Sequence, residues 1–137
     1  MTATQTLRLA SELSEIRRLA LAVERFAARH GIPDKVAHHL NLAADELITN
    51  AITHGGAADG HRIMVTLRRD PDRMTLEISH HGVAFDPTSE VASPDPTAAI
   101  EDRPIGGLGV YFAKTLLDGL SYVRRRGANR LTLTKKL

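Results

Sequence analysis

Glu46 and Asn50 stand four residues apart in the run Asp45-Glu46-Leu47-Ile48-Thr49-Asn50-Ala51. On a helix that spacing puts both on one face. A carboxylate beside a carboxamide suits magnesium–phosphate chemistry. The amide oxygen is an uncharged ligand for a hard cation, and the carboxylate can orient or deprotonate a nucleophile. Taken alone, the spacing more often describes a solvated polar face. A second run, Ile78-Ser79-His80-His81-Gly82-Val83-Ala84-Phe85-Asp86-Pro87, leaves the end of a strand at a glycine that can approach a ligand closely. A third, Gly106-Gly107-Leu108-Gly109-Val110, opens a helix with glycines. That leaves backbone N–H groups free to cradle phosphate. Neither the dinucleotide fingerprint nor the P-loop is present. The adjacent pairs His38-His39 and His80-His81 lack metal-ligand spacing. His54, beside Gly55-Gly56, is expected to close its helix.

These segments need elements to hold them. Thr6 to Ala10 alternates as a short strand, and Ser11 reads as the N-cap of a first helix. That helix carries an apolar stripe of Leu13, Ile16, Leu19, Ala20, Val23, Phe26 and Ala27. Gly31 ends it, and Pro33 starts a second helix running to His54. Its stripe is Val36, Leu40, Ala43, Ala44, Leu47, Ile48 and Ala51. Arg62 to Arg69 and Met74 to Ser79 alternate about the turn Asp70-Pro71-Asp72-Arg73, which predicts a hairpin. From Gly82 to Gly109 periodicity is lost, apart from a short helical turn expected near Ala98 to Glu101. A loop of that length in a compact domain points to a functional lid or to disorder. A third helix follows over Gly109 to Leu117. A last hairpin, Gly119 to Arg126 and Arg130 to Lys136, closes the chain. Strands in hairpins, not in alternation with helices, predict an α+β fold with a mostly antiparallel sheet and helices on one face.

Composition sets the limits. The 137 residues suit one domain with its own core. No Cys is present, so disulfides, thiolate metal sites and cysteine nucleophiles are excluded. With 42% hydrophobic and 25% charged residues the chain reads as globular. Met1 to Ala10 shows no charged start followed by an apolar run, and the apolar stretches fall short of the ~20 residues of a membrane helix. The reading is a cytoplasmic protein with no membrane contact. The net charge is only +2, and three Phe with two Tyr give few rings to stack on bases. Nucleic-acid binding therefore rests on Arg68-Arg69 and Arg124-Arg125-Arg126 alone, which also suit solvated strand ends.

Together the three runs resemble the boxes of the GHKL ATPase family: E-x-x-x-N on a helix, x-x-G-x-x-F-D-P after a strand, and G-x-G before a helix. Within it the chain is similar to the anti-sigma-factor serine/threonine kinases of the RsbW and SpoIIAB type, over Leu7 to Leu137. The resemblance implies a two-layer α/β sandwich of the Bergerat kind, one domain over residues 1–137, and an ATP lid over about 87–105. It implies ATP and Mg2+ as cofactors. Glu46 would be the general base toward a serine or threonine hydroxyl, and Asn50 the Mg2+ ligand. Gly107 and Gly109 would meet the phosphates, Arg103 and Lys114 would lend them charge, and Gly82 would lie beneath the adenine. A sigma factor, a STAS-type anti-sigma-factor antagonist and a second copy in a homodimer would be the partners. One departure stands out. The family usually has Asp two residues before this glycine, where the carboxylate accepts from the adenine amino group, and here the residue is His80. A neutral imidazole accepts one hydrogen bond and a protonated one accepts none. The substitution implies weakened, pH-sensitive ATP binding, and it keeps a non-catalytic partner-switching module as the alternative function.

Overall fold

The structure is a computed structural model and describes residues 2–54, 62–84, 86–87 and 107–137. Among them lie three helices and five strands, in the order β1 (Ala3–Ala10), α1 (Glu15–Arg29), α2 (Asp34–His54), β2 (Arg62–Asp70), β3 (Arg73–His81), α3 (Gly107–Leu116), β4 (Gly119–Arg125) and β5 (Ala128–Lys136). The strands form one antiparallel sheet in the order β1-β2-β3-β5-β4.

Period-two alternation gives the sheet two unlike faces. One rung reads Leu7, Val65, Ile78, Leu131, Tyr122 across the five strands, and the first four of these are buried. The neighbouring rung on the opposite face reads Thr6, Thr66, Glu77, Thr132, Ser121. Only the first face can bury apolar area, so the helices lie there. α2 carries the full stripe expected of it, with all seven residues buried. It packs against α1, α3 and β5, while α1 covers β1. The outcome is the α+β fold, with helices on one face of an antiparallel sheet, that the hairpin order implied, and the two-layer sandwich that the resemblance implied.

Several boundaries differ from the sequence reading; β3 runs on to His81 rather than Ser79, and β5 begins at Ala128 rather than Arg130. β1 begins at Ala3, three residues early, because its pairing with β2 continues to Ala3 opposite Arg69. α1 begins at Glu15, with Ser14 at the cap making no side-chain bond. Ser11 to Ser14 instead form a tight turn, in which the Glu15 N–H donates to the Glu12 carbonyl at 3.0 Å. Glu15 ties that turn back to the sheet, since its Oε1 accepts from the Ala10 N–H at 3.0 Å. Leu13 therefore leaves the apolar stripe and is 52% exposed. α3 begins at Gly107, two residues early.

Both ends of the last hairpin are fixed. Its turn is Arg126-Gly127, with positive φ at both residues (49° and 77°), the two-residue geometry that matches strand twist. At the other end, Lys135 Nζ donates to the Leu116 carbonyl at 2.6 Å, placing a cation on the C-terminus of α3. Asp118 accepts from the Lys136 N–H at 2.7 Å, and that bond holds its carboxyl below the usual range. α3 is thus anchored at its far end, and its opening is turned toward α2.

Candidate functional site

α2 presents Glu46 half-buried and Asn50 buried, one turn further on. They sit at the edge of the same stripe that buries Leu47 and Ala51, so core packing fixes the helix rotation that aims them. Opposite Glu46 lies Gly109, in the first turn of α3. A Cβ on Gly109 would fall on the Glu46 carboxylate, at Oε1 and Cδ. Glycine therefore leaves the room that the Glu46 side chain occupies, whatever its φ. The contact joins two of the three runs singled out in the sequence: a carboxylate lies against the helix turn whose N–H groups have no intrahelical acceptor.

A groove of about 630 Å³ opens beside that contact. Glu46 and Gly109 lie on its wall, with Leu42 from α2 and Phe112 from α3 beside them. Leu42 and Phe112 are 47% and 56% exposed. The carboxylate thus sits at the edge of an open, largely apolar surface.

The sheet supplies a second polar cluster. The rung next to the apolar one reads Leu9, Ile63, His80, Asn129, Arg124. It starts apolar and turns polar on β3, β5 and β4. His80 and Asn129, direct partners across the strands, are 2% and 1% exposed. Asn129 is fully used. Its Oδ1 accepts from the Tyr122 hydroxyl and from Arg124 Nη1 (3.2 Å), and its Nδ2 donates to the Val83 carbonyl at 2.8 Å. The Gly82 N–H donates to the Gly127 carbonyl at 3.3 Å. Asn129 and Gly127 together fasten the Gly82 turn to the β4–β5 hairpin. His80 Nδ1 is different, being buried with no hydrogen-bond partner. Burial pushes the His80 pKa below its ordinary value, helped by Arg124 and His81, against a backbone hydrogen bond at His81 that pulls it up. The imidazole is neutral near pH 7, with a ring nitrogen unspent, which is the state a polar ligand group needs.

The predicted site residues fall into place as follows. Glu46 and Gly109 are in contact, with Asn50 one turn along. His80 and Gly82 lie at the end of β3, on the side of the sheet that carries the helices. Lys114 is exposed in the last turn of α3, about 10 Å along the axis from Gly107 at 1.5 Å per residue. The helix carries it away from the opening where the phosphates were expected. Gly107 is the first residue of α3. Arg103, nearly all of the lid over 87–105 and the turn near Ala98 lie outside the described residues, as does the His54 side chain. The sequence reading left Asn129 in the turn of the last hairpin and gave it no site role; it stands instead on β5. Its signal was a polar residue in the inward register of Leu131 and Leu133. Among the described residues no three His, Asp or Glu side chains gather as for a metal ion, and no helix is long and apolar enough to cross a membrane.

Comparison with known proteins bears on this arrangement. Over 133 residues the chain is 33% identical to the serine/threonine-protein kinase BtrW of Bordetella bronchiseptica, covering 96% of this chain and 92% of that one. It is 28% identical to the serine-protein kinase RsbW of Listeria innocua, over 95% and 85% of the two chains. The crystal structure of the RsbU and RsbW domains of Rv1364c from Mycobacterium tuberculosis superposes with a TM-score of 0.70 at 17% identity. That match covers 98% of this chain and 32% of the longer one, and it supports the fold. The family described as the histidine kinase-like ATPase domain matches residues 9–135. The chain belongs to the histidine kinase-like ATPase family.

Proposed function

We propose that this protein is a regulatory serine/threonine protein kinase of the anti-sigma type, a single domain over residues 1–137 acting in the cytoplasm. It transfers the ATP γ-phosphate to a STAS-type anti-sigma-factor antagonist and binds a sigma factor, working as a homodimer. The observation that carries this reading is the Glu46 carboxylate lying against Gly109 at the opening of α3. The kinase names of BtrW and RsbW, matched over nearly the whole chain, support it.

The residues fit a magnesium nucleotide. Gly109 leaves the opening of α3 without a side chain, Asn50 offers a carboxamide one turn from the carboxylate, and His80 keeps an unspent nitrogen beside the Gly82 turn. When bound, Mg-ATP supplies the transferable phosphoryl group and the cation that offsets its charge. The amide N–H groups at Gly107 and Gly109 would donate to the phosphate oxygens. Asn50 would offer its Oδ1 to the cation. Gly82 would lie beneath the adenine, and the lid assigned to residues 87–105 would belong to the same nucleotide site. Leu42 and Phe112 meet the substrate protein beside Glu46, which takes the hydroxyl proton as the serine oxygen bonds to phosphorus and the bond to the ADP oxygen breaks. Most of the rate comes from positioning, so the Glu46–Gly109 contact matters more than any single charge.

His80 favours a second reading. One imidazole nitrogen in place of a carboxylate leaves a buried ligand donor less well satisfied, at about 1–3 kcal/mol, or roughly ten- to a hundredfold in affinity. At the weak end the domain is a non-catalytic partner-switching module. Calorimetry with Mg-ATP tests both. Measurable binding that is lost in Asn50→Ala and strengthened in His80→Asp supports the kinase. No heat in wild type, with binding restored by His80→Asp, supports the module. No heat in either protein removes the nucleotide reading.

A further inference from the structure

The β4–β5 hairpin carries a surface that the nucleotide reading does not use. β4 pairs only with β5, so its other edge is open among the described residues. Arg125 and Ala128 are partners and flank the two-residue turn Arg126-Gly127. Residues flanking such a turn exchange main-chain bonds, and the main-chain groups of alternate residues then point to opposite edges. The even-numbered residues Leu120, Tyr122 and Arg124 therefore turn their N–H and C=O groups away from β5, to the open edge.

The charge on this hairpin is of one sign. From Gly119 to Lys136 it contains no Asp or Glu. Arg124, Arg125 and Arg126 are exposed at its tip and make no ion pair among the described residues. Arg124 stands on the inner face, where its Nη1 reaches Asn129 Oδ1 at 3.2 Å, and Arg125 stands on the outer face. Arg126 occupies the turn with φ 49°, a conformation that ordinarily goes to Asn or Gly. A cation is thus kept there against the preference of the turn. Next to this charge, Val123 is 47% exposed on the outer face. An open strand edge takes an extended peptide as an added strand, with main-chain bonds for affinity and alternate side chains for selection.

We propose that the β4 edge binds an extended segment of a partner protein whose leading end is acidic, and that the segment adds antiparallel to β4 as a sixth strand. Main-chain bonds to Leu120, Tyr122 and Arg124 hold it. Antiparallel pairing sets its first residues beside the arginine end of β4. There carboxylates on successive residues point to opposite faces, one to Arg124 and the next to Arg125. An apolar residue further along covers Val123. Charge selects the occupant. A second copy brings no carboxylate on this hairpin, so edge-to-edge pairing leaves the arginines unmet. Nucleic acid is disfavoured because the one ring of the hairpin, Tyr122, is half-buried with its hydroxyl on Asn129 and is not free to stack on bases. The proposal does not depend on nucleotide binding.

The test uses the full chain, labelled with nitrogen-15, and the synthetic peptide Glu-Glu-Glu-Val-Thr-Val-Thr-Val at low salt. Expected are shifts of the Leu120, Tyr122 and Arg124 amides, and affinity at least roughly tenfold weaker for Arg125→Glu/Arg126→Asn. Asn suits the positive φ, so this variant keeps the turn while losing its charge. A peptide with Lys in place of Glu should not bind, nor should one N-methylated on its strand-pairing edge. The proposal is overturned by no binding of the acidic peptide, by binding that survives N-methylation, by full affinity in the double variant, or by tighter binding of a single-stranded oligonucleotide at the same amides. Shifts of the β4 amides with protein concentration alone would assign the edge to a second copy and overturn it equally.

Discussion

Gly109 and Glu46 make a mutual demand that can be tested at one atom. Alanine at 109 is no burden to the helix, since Ala is about 1 kcal/mol better than Gly in a helix interior. Its Cβ would instead occupy the place of the Glu46 carboxylate, the free end of a flexible side chain. Gly109→Ala should therefore fold normally and lose at least ~10-fold in phosphoryl transfer by misplacing the base. Thermal melts and a transfer assay on the same sample check this, and unchanged transfer would contradict the contact's role. His80 makes a separate demand through pH. Its folded pKa lies below the ordinary 6.5, so the unfolded chain takes up a proton first as pH falls. Its contribution to stability is complete above about pH 6.5 and declines below it, by up to ~1.4 kcal/mol per pH unit until the folded imidazole protonates. Urea melts at three values from pH 7.5 to 5.5 should show a shallower pH dependence in His80→Gln than in wild type. Parallel curves would mean that the buried imidazole is protonated without cost.

At the scale of elements, the β4–β5 hairpin does more than complete the sheet. Through Asn129 it fixes the Val83 carbonyl and, with it, the turn that leaves β3. Asn129→Ala would leave that carbonyl and the Tyr122 hydroxyl short of a partner, at a cost of about 1–3 kcal/mol. We expect a Tm lower by roughly 3–9 °C, read by calorimetric melting. A Tm within a degree of wild type would show that the network is dispensable. The elements themselves were legible because their signals are local. The α2 stripe and the hairpin alternations each follow from one periodicity, and all seven stripe residues of α2 are buried. Ser11 misled because the capping preference is short-ranged, while the Glu15 bond to Ala10 that places the first turn reaches back to the strand. The contacts of Asn129 were not legible for a similar reason. Its partners Val83 and Tyr122 meet it through strand pairing that no spacing rule encodes.

For the whole molecule, the sheet's polar outer face and apolar inner face put Glu46, Asn50, Gly109 and His80 on one side. Glu46, Asn50 and Gly109 come from the helix layer, and His80 from the inner face of the sheet. The two-layer fold could be read from hairpin order, and the grouping of Glu46 with Asn50 from one helix turn. The Glu46–Gly109 contact could not, because the two residues are 63 positions apart in the chain and meet only when α2 and α3 pack. The measurement that tests the proposed activity most directly is transfer of label from γ-labelled Mg-ATP to a STAS-type antagonist under saturating nucleotide. We predict transfer to a serine or threonine by the wild type, and its loss in Glu46→Gln with Mg-ATP binding retained. Transfer at the wild-type rate by Glu46→Gln would contradict the account.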